Sequence, residues 1–200
     1  MNKAINTIAA LLLPALASSA SGIQAPSGWN FVGQNDAGYQ IELDQSPFGA
    51  ASALISSGDS QSSNFGGIGQ SISADSFAGK RIRLSARFKA QEVNGWSGLW
   101  LRIDDGSGKV LLLDNMADRA VYGTKPWSRQ QIIVDVPTNS KRIAFGAILS
   151  GSGKAWVDDF VLIEAPGEGP VTATPSSREI YNEAPAKSLP TAPINSDFES

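Results

Sequence analysis

From residue 39 to residue 164 the chain alternates apolar and polar positions with a period of two, in a series of short runs. KRIRLSARFKA is the clearest of them. Ile82, Leu84, Ala86 and Phe88 fall on one side, with Arg81, Arg83, Ser85, Arg87 and Lys89 on the other. This is strand spacing, because successive side chains of a β-strand point to opposite faces. In WSGLWLRID the same period puts Leu99, Leu101 and Ile103 inward and Trp96, Trp100, Arg102 and Asp104 outward. GYQIEL groups Tyr39, Ile41 and Leu43, and RIAFGAIL groups Ile143, Phe145, Ala147 and Leu149. ASALIS and GIGQSIS read as short strands around the turn SSGDSQSSNFGG, and IIVDV as another. AWVDDFVLIE is apolar on both faces apart from its Asp pair, as a central strand would be. Gly, Asp and Asn turns punctuate the runs, and no stretch carries a long helical period. The pattern predicts an all-β fold, an antiparallel β-sandwich in a single domain, and makes α/β folds poor candidates.

The ends of the chain read differently. Residues 1–20 begin with a positive charge at Lys3, continue through the apolar AINTIAALLLPAL, and reach the small residues Ser18, Ser19 and Ala20. That is the build of an export signal, which places the mature chain in the periplasm or outside the cell. The stretch falls short of the about 20 apolar residues that a spanning helix needs, so no membrane span is expected. Residues 21–165 then form the sandwich, opening with the loop GIQAPSGWN. Residues 166–192 shift to Pro, Gly, Ser, Thr and Glu without periodicity and read as a flexible linker. The last residues, 193–200, set a single Phe among acids in PINSDFES.

Composition narrows the chemistry. With 42% hydrophobic and 18% charged residues, 200 residues suffice for one real core. A net charge of -3 gives no basic footprint, so nucleic acid is not an expected partner. The chain has no Cys and no His. Disulfides, thiol chemistry, His-based acid/base work, Ser–His and Cys–His pairs and the commonest zinc ligand are therefore all ruled out. Asp104, Asp114 and Asp158 are raw material for a glycosidase carboxylate pair, but no spacing singles out an acid and a base. The chain reads as a non-enzyme.

Recognition fits better. Trp96, Trp100 and Trp127 offer flat rings for stacking on sugar faces, and Arg102 and Asp104 can bond hydroxyls, Arg through its rigid fork. The plainer alternatives are core tryptophans and a surface ion pair of small value. Trp156 is assigned to the core, and Trp29, beside a Gly turn, fits either role. The row Arg81, Arg83, Arg87 and Lys89 reads as a charge-protected edge strand rather than as a site for an acidic polymer. Asp158 and Asp159 read as a strand-edge pair bonded to turn amides, with calcium ligation as the sharper alternative. A saccharide or similar polar ligand is the expected partner of a monomer, and a protein-interaction or structural role is the second reading.

Several pieces together resemble the galactose-binding-like jelly-roll modules, which include many carbohydrate-binding modules. They are Gly28-Trp29, Ser52-Ala53, FAGKRIRLSARFKA, SGLWLRID, Asp114 to Met116, Gly123-Thr124 with Trp127, VDVP and GSGKAWVDD. The likeness covers about residues 27–164 and is fairly specific for a subgroup whose modules also sit beside helix-turn-helix regulators and hydrolases. It implies a jelly-roll fold strongly and a ligand weakly. Such modules commonly open with a strand of the form N-x-x-F-E shortly before the Gly-Trp turn. Here that strand is missing, and its likeness is Asn195 to Glu199 at the far end. The resemblance implies that this segment docks as a strand, with Phe198 buried. It further implies that Glu199 meets Asp159 at a structural calcium; a loose tail is the alternative.

Overall fold

The computed structural model describes residues 25–33, 38–58, 64–173 and 188–200. The expected export signal lies outside the described residues. Eight strands run in order: β1 (Asn30–Gly33), β2 (Tyr39–Asp44), β3 (Ser52–Ser57), β4 (Phe65–Ser73), β5 (Arg81–Asp104), β6 (Val110–Asp114), β7 (Val121–Asp135) and β8 (Arg142–Glu164). Every pairing is antiparallel, and no helix occurs among the described residues.

Two long strands organise the rest. β5 and β8 pair from Ile82 opposite Glu164 to Asp104 opposite Arg142. The register slips midway, between Gln91 and Asn94, and slips of this kind bend a strand. Two glycines make the bend possible. A Cβ on Gly95 would lie 2.2 Å from the Ser150 carbonyl oxygen, and one on Gly151 would lie 2.1 Å from that of Asn94. Both also hold positive φ, at 130° and 82°. On one side of the bend the ribbon is flanked by β4 with β1 and by β6; on the other it is flanked by β3 with β2 and by β7. One sheet thus curls into two layers, β1-β4-β8-β5-β6 and β2-β3-β8-β5-β7, the sandwich that the alternation predicts and the jelly roll that the resemblance implies.

Between the layers lie the inward rows. Ile82, Leu84, Ala86, Phe88, Leu99, Leu101 and Ile103 are all 1% exposed or less. Ile143, Phe145, Ala147 and Leu149 of β8 join them. Several expectations need correction. β5 is interior to its layer, not an edge, and its outward cations are taken up by Asp135 (Arg81), Glu168 (Arg83) and Asp159 (Arg87). Leu43 is exposed, because β2 is itself the outermost strand there. Trp156 is buried outside the core cluster, on the outer face. Lys89 Nζ sits 4.1 Å from its ring centre, and its indole N–H donates to Asp44 at 2.7 Å.

Trp29 belongs to the core, packed with Phe145, Phe160 and Phe198. Phe198 brings the C-terminal segment inside, but as a turn rather than the expected strand. Asn195 and Phe198 both take positive φ (46° and 57°), which extended backbone does not allow. The segment is held by the Phe160 amide on the Ser196 carbonyl and the Trp29 indole N–H on the Asn195 carbonyl, both 2.9 Å. Gln70 exchanges two bonds with the backbone of Ile194. The start of the expected linker is also anchored: Thr172 donates to Asp114 at 2.6 Å and its backbone N–H to the Ile133 carbonyl at 2.7 Å.

Candidate functional site

On the outer face of the first layer the strands carry small residues. Gly67 and Gly69 of β4 lie opposite Ile148 and Gly146 of β8, and Gly146 lies opposite Trp100 of β5. With no side chains in the way, the Trp100 ring reaches across to β4. A Cβ on Gly69 would stand 2.5 Å from its Cζ2. The result is a trough of about 530 Å³ lined by Val32, Phe65, Trp96, Trp100, Arg102, Val110, Leu113, Asn115 and Ile148. That volume is in the range of small-molecule sites. Phe65 and Leu113 stand exposed at its rim. The Trp100 indole N–H is buried without a partner among the described residues, a deficit of about 1–3 kcal/mol.

Asp104 is not a surface residue of this trough. It is fully buried, and its carboxylate is divided between two guanidiniums. Both guanidiniums bond the same oxygen, Oδ2: Arg102 Nε donates to it at 3.2 Å and Arg142 Nε at 2.7 Å, while Oδ1, 3.0 Å from Arg102 Nε, has no hydrogen bond among the described residues. The period of two correctly sets Asp104 outward, but Arg142, directly opposite on β8, covers it. Its role is to fix Arg102 by Nε. Trp127 does not join the trough either. It lies on β7, whose neighbouring Ser128 pairs with Phe88 in the other half of β5, and its ring meets Phe48 edge-on at 5.4 Å. Of the five expected contact residues, Trp96, Trp100 and Arg102 converge. Phe65, Leu113, Asn115 and the glycine row were missed, although isolated glycines inside strands signal close approach.

The expected metal pair, Asp159 and Glu199, lines one cleft with Asn195, Ser196 and Asp197, and each carboxylate there already has a partner. Asp159 accepts from Arg87 Nε at 2.7 Å and has Arg129 at 3.6 Å. Glu199 accepts instead from the backbone N–H of Ala50. Asp158 is the buried acid of the two, bonded to the Ser46 hydroxyl. Calcium takes six to eight oxygens, and among the described residues no group of three His, Cys, Asp or Glu side chains is placed to hold a metal, so backbone and amide carbonyls would have to complete any set. The other carboxylates weighed for catalysis are also engaged: Asp114 accepts from Arg119 Nη2 at 2.7 Å and from Thr172.

Burial pushes the Asp158 carboxyl above the ordinary carboxylate value, and the charges of Asp159 and Glu199 add to this, against the Ser46 hydrogen bond. An acid raised in the folded state contributes stability that is fully present below its unfolded pKa and is lost as pH rises through the folded pKa. Asp158→Asn keeps a partner for Ser46 and removes the buried charge. It should melt with the wild type near about pH 3.5 and above it near about pH 7. A variant that melts lower at neutral pH would show that the charge is needed.

The curled two-layer sheet is a jelly-roll sandwich with an aromatic trough on one outer face. No family model matches the chain. It is 34% identical over 175 residues to the uncharacterized HTH-type transcriptional regulator YbfP of Bacillus subtilis (strain 168), and this match covers 86% of the chain and 56% of the regulator. The chain thus spans little more than half of that relative. Among solved structures it resembles tailspike protein 4 of bacteriophage CBA120 with a TM-score of 0.55 at 14% identity, over 70% of this chain and 20% of that one. A family 22 xylan-binding domain aligns with a TM-score of 0.49 at 14% identity, over 70% of this chain and 88% of that one.

Proposed function

We propose that this chain is an exported, non-catalytic binding module that takes a saccharide in the Trp96–Trp100–Arg102 trough. The observation that carries the reading is a preformed site on paired strands. Two indoles and a guanidinium converge there, and the guanidinium is locked by a buried acid. Sites built on strands hold their geometry without paying to order a loop on binding. Stacking a sugar ring on an indole buries a large apolar face at little entropic cost. Export by residues 1–20 is part of the proposal, and an intact mass that retains Met1 on a cytoplasmic product would remove that part.

The test is a glycan array on the mature protein, followed by Trp100→Ala. An aromatic anchor is worth about 2 kcal/mol or more, so the variant should bind at least about 30-fold more weakly while still folding. The exposed rim residues Phe65 and Leu113 favour one other reading, a protein partner on the same face. That reading prevails if no glycan binds and Trp100→Ala abolishes capture of a defined protein.

A further inference from the structure

We infer that the ligand of this trough is acidic: a sugar ring of the uronate class, with its carboxylate on the Arg102 guanidinium and its ring against Trp96 and Trp100. The inference rests on the saccharide reading above and specifies its substrate class.

Three features of the trough carry it. First, no Asp or Glu lines it, and Arg102 is its charged lining residue among the described residues. Second, Asp104 holds Arg102 through Nε and shares its charge with Arg142. The two terminal nitrogens of Arg102 keep no protein partner among the described residues, and such a pair of parallel N–H donors matches a carboxylate in bidentate fashion. Third, the polar side chains present are donors. The Trp96 indole can only donate. Asn115 spends its side-chain oxygen on the Ala117 N–H at 3.2 Å, which leaves its NH₂ to donate. A neutral sugar brings hydroxyl protons that need acceptors, and the acceptor side chain of this lining, the Asn115 oxygen, already spends one of its two lone pairs on Ala117. A carboxylate only accepts, so it suits a site made mostly of donors. The net charge of -3 on the chain does not oppose this, because charges beyond a Debye length of about 8 Å are screened.

The experiment is calorimetric titration of the full chain with glucuronate- and galacturonate-containing oligosaccharides, their methyl esters, and benzoate as a carboxylate without a sugar ring. The acids should bind at least tenfold more tightly than their esters, and the difference should shrink as salt rises. Arg102→Gln should erase that preference. Asn115→Asp leaves the Asp104 pairs untouched and keeps the bond to Ala117, so it should lower affinity for the acids more than for the esters without altering the melt. Esters that bind as well as acids, with Arg102→Gln weakening both alike, would overturn the acidic class and leave the saccharide reading standing. If benzoate binds in an Arg102-dependent way and no sugar does, the carboxylate site stands and the saccharide reading falls. If no probe binds, both fall.

Discussion

Phe198→Ala is expected to lower the melting temperature by roughly 10 °C. Emptying a buried Phe site costs about 3–5 kcal/mol, and for a domain of this size each kcal/mol shifts the melt by about 2–4 °C. The ring is 2% exposed and packs tilted against Trp29 at 5.3 Å and edge-on to Phe160 at 6.2 Å, so its removal leaves a void that these large rings cannot close. Deleting residues 193–200 should cost more. It also strips the partners from the Trp29 indole and the Phe160 amide and breaks the two bonds to Gln70. Against this stands the entropy of ordering a short tail, about 1–2 kcal/mol per residue, which burial of the ring and four long-range hydrogen bonds must exceed. A truncated chain that melts with the wild type, by calorimetry or far-UV dichroism, would show that the tail adds nothing to the fold.

The faces of the strands are legible in the sequence, because a period of two depends on backbone geometry alone. What the period does not reveal is the layer in which a residue lies. Arg87 and Arg102 both point outward from β5, yet the bend at Gln91–Gly95 puts them on opposite outer faces of the sandwich. For this reason the period alone does not separate Trp127, beside Phe48 in one layer, from Trp100 in the other. Burial of Asp104 depends on Arg142, 38 residues away in sequence and opposite only after the strands pair. The choice between Asp158 and Asp159 is set by a local slip. β8 is out of register by one residue between Ser85 and Arg87, and Asp159 takes a positive φ of 54° there, which turns its side chain toward Arg87. The tail was legible through its likeness to an N-x-x-F-E strand. Its turn geometry was not, since it follows from what Trp29 and Gln70 offer as partners.

The glycine row gives the sharpest test of the trough. Gly69 has no unusual φ, so alanine is conformationally acceptable there, and in a strand it is favoured over glycine. Its methyl would nonetheless arrive 2.5 Å from Trp100 Cζ2, with the Phe145 carbonyl oxygen 3.2 Å away on the other side. The backbone cannot yield, so the indole must swing out of its seat. Because the Trp100 N–H has no partner among the described residues, packing against the glycines is what fixes the ring. Gly69→Ala should therefore weaken ligand binding at least about 30-fold, the loss expected for a displaced aromatic anchor, and change the tryptophan emission. The melt should move little, since the displaced ring lies outside the core. Gly58→Ala, where a Cβ meets nothing within 4 Å, is the matched control and should bind as the wild type does. Unchanged binding in Gly69→Ala would place the site elsewhere, and a collapse of the melt would make the glycine row a requirement of folding rather than of recognition.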